Sequence, residues 1–490
     1  MLDDKLTRQL TILFEEWADV GLRDITELGA NGSNRRYFRL VGVDGSHQCI
    51  GAFNDCEREN RTFVYYSQAM CQRGLPVPAV YAVSDDALCY LQQDLGDTTL
   101  YDCLRAKRQK GGGFDAEMVS LYKQALEDLV RIQTECQDLD FSKAYPRAEF
   151  DRQSMQWDLQ YFKYYFLKLR HITFDEQLLE DDFTRLISFL LDEDCRYFMY
   201  RDFQSRNIMV QSDDNGKHKL YYIDFQGGRR GAPQYDVASI LFSAKSDLPD
   251  SVRTELLNHY LVSFERYNAT QPSERQIDFD RNRFLDRFYG YVLIRILQAL
   301  GAYGYRGYFE RKPYFLESIP MALRNLRAIV ESSMPQANIP HLHDVLLQLV
   351  QSQPSVFTPT NQLTVTVGSF SYKKGLPDDE TGNGGGFVFD CRALPNPGRY
   401  DAYRLLTGRD HAVAAFLGNA PEVEQFINHA SAMVSQSVTQ YQERHFTHLA
   451  VWFGCTGGQH RSVYCAERLS EYLKKQFPKC PVKLVHREQM

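Results

Sequence analysis

Over the first quarter of the chain, apolar and polar positions alternate in short runs. Residues 37–40 and 87–91 read as strands, and Asp44-Gly45 and Gly74-Leu75-Pro76 supply turns between such runs. Residues 1–16 read as an amphipathic acidic helix, and residues 24–95 as a small, mostly β lobe. Beyond it, apolar residues recur at helical spacing in 118–134, 153–170, 184–191, 251–267 and 284–303, so a second lobe is mainly helical. The stretch 332–360 holds Pro335, Pro340, Pro354 and Pro359 around one short helical pattern, 341–350. The expected organisation is a first domain at 1–333 with lobes 1–95 and 96–333, a linker at 334–360, and a second domain at 361–490. In that second domain, strands are expected at 363–367, 387–389 and 449–453 and a helix at 422–441. The last strand runs into a glycine turn and another helix, which is α/β grammar.

Composition narrows the classes. The 490 residues, 43% hydrophobic and 24% charged, exceed the roughly 250–300 residues at which single cores stop growing. A net charge of -7 gives no long-range attraction for phosphodiester backbones, so bulk nucleic-acid binding is disfavoured. The eleven cysteines include no C-x-x-C pair, which argues against a disulfide framework or zinc cluster and for a reducing cytoplasm. The most apolar helical stretch, 288–305, is interrupted by Arg295 and Gln298 and falls short of the roughly 20 residues that cross a bilayer. It reads as a core helix, and no membrane association is expected.

The candidate chemistry of the first domain lies in Tyr200-Arg201-Asp202-Phe203-Gln204-Ser205-Arg206-Asn207, followed after a strand by Ile223-Asp224-Phe225. Phosphoryl transfer needs a carboxylate to orient the acceptor hydroxyl and oxygen ligands to hold Mg²⁺ against the phosphates. Asp202 fits the first part, Asn207 and Asp224 the second. Upstream, the glycine-bearing turn Asn31, Gly32, Ser33, Asn34 and Arg35 would offer backbone N–H groups to phosphate oxygens. Asp94-Leu95-Gly96 passes from strand to turn to helix, as a hinge between lobes whose backbone meets adenine would. Trp157, Asp158 and Tyr161 share one helical face bordering the acceptor side, where core packing and sugar stacking are both open readings.

Residues 10–333 resemble the aminoglycoside phosphotransferase family, particularly its N-acetylmuramate and N-acetylglucosamine 1-kinases. The resemblance rests on the 94–99 hinge, the Y-R-D-F-Q-S-R-N loop, Ile223 to Gly228, and Gly231-Ala232-Pro233-Gln234-Tyr235-Asp236, where Asp236 would brace the catalytic loop. It implies a bilobal, kinase-like α+β fold, ATP or GTP with Mg²⁺ as cosubstrate, and a sugar or amino-sugar acceptor. Two positions depart from the family. Tyr200 replaces the usual loop histidine, and the strand expected to carry the phosphate-pairing lysine reads Cys49-Ile50-Gly51-Ala52-Phe53-Asn54. Charge neutralisation then falls to Arg35 or Arg36 and the metal, and Glu59 loses its usual lysine partner.

In the second domain, Gly454-Cys455-Thr456-Gly457-Gly458-Gln459-His460-Arg461-Ser462 joins a strand to a helix. Backbone N–H groups there converge at a helix N-terminus, with Arg461 as a bidentate donor. As spacing alone, Cys455 and Arg461 also fit the phosphate loop of cysteine-dependent phosphatases. The segment 363–487 resembles the C-terminal domain of the RapZ family through Ser369 to Pro377, Phe389 to Pro397, Leu406 to Asp410, the 455–462 loop and His486-Arg487. That resemblance implies an amino-sugar phosphate held by 456–462, with Arg392, Arg461 and His486 nearby, and a possible protein partner. Three readings follow: a sugar kinase with a sugar-phosphate sensor, a pseudokinase coupled to a sensor, and a phosphatase acting through Cys455.

Overall fold

The computed structural model describes all residues except 1–3, 30–34, 171, 214–216, 311, 352–362, 378–385, 445 and 490. The chain divides into two compact units between Gln353 and Pro354.

The first unit opens with a five-stranded antiparallel sheet. Its strands are β1 (Leu22–Glu27), β2 (Arg36–Gly42), β3 (Gln48–Phe53), β4 (Val80–Val83) and β5 (Cys89–Gln93), in the order β1-β2-β3-β5-β4. The N-terminal helix Asp4–Ala18 lays Leu6, Leu10, Leu13 and Phe14 against Phe38, Leu40, Cys49 and Leu91. This close approach needs Gly51, because a Cβ there would meet the Leu40 side chain at 2.8 Å and that of Leu10 at 3.0 Å.

The larger lobe is helical, as its 3.6-residue periodicity predicts, with Ala116–Glu135, Arg152–Phe162, Glu176–Leu191, Asp250–Ala269 and Arg281–Tyr303 around one core. Two small antiparallel ribbons interrupt it: β6 (Tyr197–Met199) with β9 (Arg229–Gly231), and β7 (Ile208–Ser212) with β8 (His218–Tyr222). They anchor both ends of the segments 200–207 and 223–228. The helix expected over 153–170 instead changes to a π-helical turn at Lys163–Leu167. A second π turn, Gly304–Phe309, follows the helix Arg281–Tyr303.

The stretch placed in a linker is partly structural. Helix Pro340–Gln351 buries Leu342, Val345, Leu346 and Leu349 in the first core, and the Leu342 N–H donates to the buried Asp182 carboxylate at 2.8 Å. An amphipathic helix of this kind gains its stability from burying the apolar face, so it packs with the first unit.

The second unit is built on a four-stranded parallel sheet of β10 (Thr364–Ser371), β11 (Gly386–Asp390), β12 (His448–Cys455) and β13 (Val482–His486), in the order β11-β12-β10-β13. Helices Pro421–Glu443 and Arg461–Gln476 cover its core of Val365, Val367, Leu449, Val451 and Phe453. Among the described residues, no helix is long and apolar enough to cross a membrane.

Candidate functional site

The loop leaving β6 and the loop leaving β8 are tied to each other side chain by side chain. Asn207 Nδ2 donates to the Asp202 carbonyl at 2.9 Å and to Asp224 Oδ2 at 3.1 Å. The Tyr200 hydroxyl donates to the Ile223 carbonyl, so the tyrosine that replaces the family histidine bolts the two loops together. Asp236 is fully buried and accepts from the backbone N–H groups of Tyr200 (2.7 Å) and Arg201 (2.9 Å), the bracing role expected of it. Arg201 (φ +79°) and Asp224 (φ +71°) both adopt left-handed backbone, which aims their side chains and stores strain that the surrounding contacts must hold.

Asp202 stands where the loop opens. Its side chain keeps 47% of its surface accessible, enough for an acceptor to reach it. Burial of the surroundings disfavours its charge. The guanidinium groups of Arg295, Arg206, Arg201 and Arg229 outweigh that and hold its carboxyl below the usual range. Arg295 Nη2 donates to it at 3.2 Å from helix Arg281–Tyr303. Asp224 moves the other way, pushed up by burial and by the Asp202 charge. Asp224, half-buried, and Asn207, whose Nδ2 donates to it, are the oxygen-bearing side chains that would hold a divalent cation between these two loops.

In the small lobe, the expected turn residues Asn31, Gly32, Ser33 and Asn34 lie outside the described residues. Arg35 lies within them, 4% exposed. Its Nη2 pairs with Glu59 Oε1 at 3.3 Å, and Asn54 Nδ2 holds the other Glu59 oxygen at 2.9 Å. Glu59 is thus the partner of an arginine that stands just before β2, the strand next to the one expected to carry a lysine. Arg36 points away and pairs with Glu27 at 2.7 Å. Burial opposes the Arg35 charge, but Tyr90, Tyr37 and Glu59 keep the guanidinium firmly protonated.

At the hinge, the Asp94 carboxylate is taken up by Arg39 (2.6 Å) and Gln48 and accepts from the Gly96 N–H at 2.9 Å. Gly96 sits at φ +81°, which favours glycine. Leu95 joins Met209, Tyr221 and Ile223 in a separate apolar patch between β7, β8 and the hinge. Such a patch suits the face of a base, while the hinge backbone supplies polar edges.

On the acceptor side, Asp158 pairs bidentately with Arg201 (2.9 and 3.2 Å), Trp157 stays half-exposed under Arg147, and Tyr161 joins Tyr165 and Tyr305. Asp158 thus acts inside the loop scaffold. Sequence reading missed Arg295, taken only as a polar interruption of a core helix. A lone arginine in so apolar a helix was the available signal, since buried charges are paired.

In the second unit, the 455–462 loop folds as a strand-to-helix turn at the start of helix Arg461–Gln476, with Gly458 at φ +68°. Cys455 is 3% exposed, with Sγ 3.1 Å from Ser462 Oγ. Burial would raise its thiol, but the Ser462 hydroxyl, the N–H groups of Ser462 and Gly458 and the Arg461 charge bring it below the usual value. Several side chains expected to meet a ligand also brace the loop. Arg461 Nη1 donates to the Arg392 (2.8 Å) and Leu394 (3.1 Å) carbonyls. His460 Nε2 lies 2.9 Å from the Tyr403 carbonyl, and Gln459 donates to the Arg404 and Leu406 carbonyls. His486 is 5% exposed, with one ring nitrogen on Ser369 Oγ (2.8 Å) and the other on Glu467 (3.1 Å). Arg392 pairs with its neighbour Asp390 and lies over the Tyr372 ring at 4.2 Å. Thr456 and Gly457 remain exposed at the mouth.

Residues 24–272 match the model of the "Phosphotransferase enzyme family", and residues 363–490 that of the "RapZ C-terminal domain". A "Nucleotide-binding protein" of Hahella chejuensis is 38% identical over 129 residues, 26% of this chain and 43% of the relative. One of the same name from Albidiferax ferrireducens is 39% identical over 122 residues, 25% of this chain and 39% of the relative. The chain thus spans less than half the length of these two relatives. Among solved structures, a Plasmodium vivax ethanolamine kinase superposes with TM-score 0.45 at 12% identity, covering 63% of this chain and 83% of its own.

Proposed function

The chain belongs to the phosphotransferase enzyme family, and on that premise we propose that its first unit transfers the terminal phosphoryl group of ATP or GTP to a hydroxyl of a sugar or amino sugar. The observation that carries this reading is the mutual locking of Asp202, Asn207 and Asp224, with Asp202 ionised and reachable. In the proposed step the acceptor oxygen bonds to the γ-phosphorus, the bridging P–O bond to the nucleoside diphosphate breaks, and the acceptor proton passes to Asp202. Magnesium held by Asp224 and Asn207 would neutralise charge on the phosphates. Arg35, held by Glu59, supplies the cation that the small lobe otherwise lacks, which favours an active enzyme over a pseudokinase.

For the second unit, the reading is a sensor of a phosphorylated sugar, bound by the backbone N–H groups of Thr456 and Gly457 at the exposed mouth of a loop that Arg461 braces. A cysteine phosphatase is the second reading, favoured by the Cys455 thiol lying below its usual range beside Ser462. Sugars and nucleotides screened against the purified chain, with detection of transferred phosphate, test the first proposal. Absence of transfer to every acceptor, with ATP and with GTP, refutes it. A phosphatase activity lost in Cys455→Ser would replace the sensor by the thiolate.

A further inference from the structure

Away from the loops around Asp202, the first unit carries a cleft of about 630 Å³ where the end of helix Glu176–Leu191, the start of β6, and the first turns of helices Gln234–Leu241 and Arg281–Tyr303 meet. Arg283 lines it, and Arg295, which reaches Asp202, lies twelve residues further along the same helix, about 18 Å at 1.5 Å per residue. The cleft is therefore no part of the site already described. Its charged lining is one-sided: Asp192, Glu193, Asp194, Asp278 and Asp280 stand against Arg196 and Arg283, an excess of three negative charges. Its volume falls in the range of small-molecule sites, about 300–1,000 Å³.

Most of those carboxylates are occupied. Arg283 Nε lies 3.3 Å from Glu193, Arg196 Nε 2.7 Å from Asp194, and Arg287, from outside the lining, reaches Asp192 at 2.6 Å. Asp280 accepts from the N–H groups of Asn282 (2.8 Å) and Arg283 (3.1 Å). Asp278 is exposed and makes no hydrogen bond or ion pair among the described residues. An acidic rim alone would merely be solvated, but one buried side chain of this lining lacks a partner. Gln234 is 1% exposed, and its Nε2 donates to Glu193 Oε2 at 3.1 Å. That bond fixes the amide, because the reverse orientation would set its oxygen against a carboxylate. The remaining oxygen, Oε1, is buried and accepts no hydrogen bond among the described residues. A buried amide oxygen is a cost to the fold unless some group supplies a donor, and the excess of carboxylates selects a positively charged one. Tyr197 and Phe284, both buried, add apolar surface for the hydrocarbon part of a ligand.

We propose that this cleft binds a small organic cation bearing N–H donors, an alkylguanidinium or a polyamine, which donates to Gln234 Oε1 while its charge offsets the carboxylate excess. The test is titration calorimetry on the full chain at low salt and without nucleotide. Agmatine and spermidine are the probes, and tetramethylammonium is the cation without N–H groups. One probe or both should bind about tenfold more tightly than tetramethylammonium, the worth of a charge-assisted hydrogen bond. The tighter of the two tells guanidinium from polyamine. Gln234→Met, which keeps the length of the side chain and removes the amide, should abolish that preference. Asp278→Asn, at an exposed position, should weaken probe binding by about twofold to fivefold, as removal of one exposed charge does. No binding of either probe overturns the inference, as does equal binding of tetramethylammonium, which would reduce the cleft to a solvated acidic surface. Probe binding unchanged in both variants would place the cation elsewhere and overturn it equally.

Discussion

On the proposed reading, Arg35 supplies the small lobe's cation for a nucleoside triphosphate. It reaches Glu59 from the residue just before β2, so a charge missing from one strand is restored from the next. Arg35→Ala should weaken ATP binding by a charge-assisted contact, roughly 1.5–3 kcal/mol, or about tenfold to a hundredfold, with Arg35→Lys recovering part of the loss. Titration calorimetry checks this, and equal affinity in all three proteins would remove Arg35 from the site. That residues 202, 207 and 224 come together was legible because they sit at short, fixed spacing within two loops anchored by adjacent strands. Arg295 was not, since it joins Asp202 across 93 positions of sequence and only packing reveals it. For Arg461 the sequence shows a fork, and only the fold shows that its Nη1 is turned to the Arg392 and Leu394 carbonyls.

Among the elements, strands and helices with clean periodicity were readable, including β2, β10, β12 and the helices Ala116–Glu135 and Pro421–Glu443. The π turns were not, because periodicity does not register one extra residue per turn. The two turns meet in close contact: Gly304 packs so tightly that a Cβ would lie 1.9 Å from the Tyr165 carbonyl oxygen. Gly304→Ala should therefore force the two π turns apart and destabilise the first unit by about 1–3 kcal/mol, the range of overpacked cores. Thermal unfolding followed by circular dichroism reads this, and an unchanged midpoint would show that the turns yield freely. The helix Pro340–Gln351 was visible as a pattern but assigned to a linker, since nothing in sequence says which core will bury its face.

At the scale of the whole molecule, the two units have separate apolar cores, one built on the helical lobe and one on the parallel sheet. Calorimetric unfolding of the full chain should resolve two transitions, reproduced by the separate pieces 1–353 and 354–490, and a glucosamine 6-phosphate probe should raise only the second. A single transition in the full chain with neither piece folding alone would contradict two independent cores. The central claim concerns the first unit, and one comparison tests it most directly: transfer of labelled γ-phosphate by the wild-type chain and by Asp202→Ala, with nucleotide binding measured on both. The account predicts a labelled acceptor with the wild type, turnover lower by about 10²–10⁴-fold in the variant, and similar nucleotide affinity in the two. Equal transfer by both proteins would contradict it.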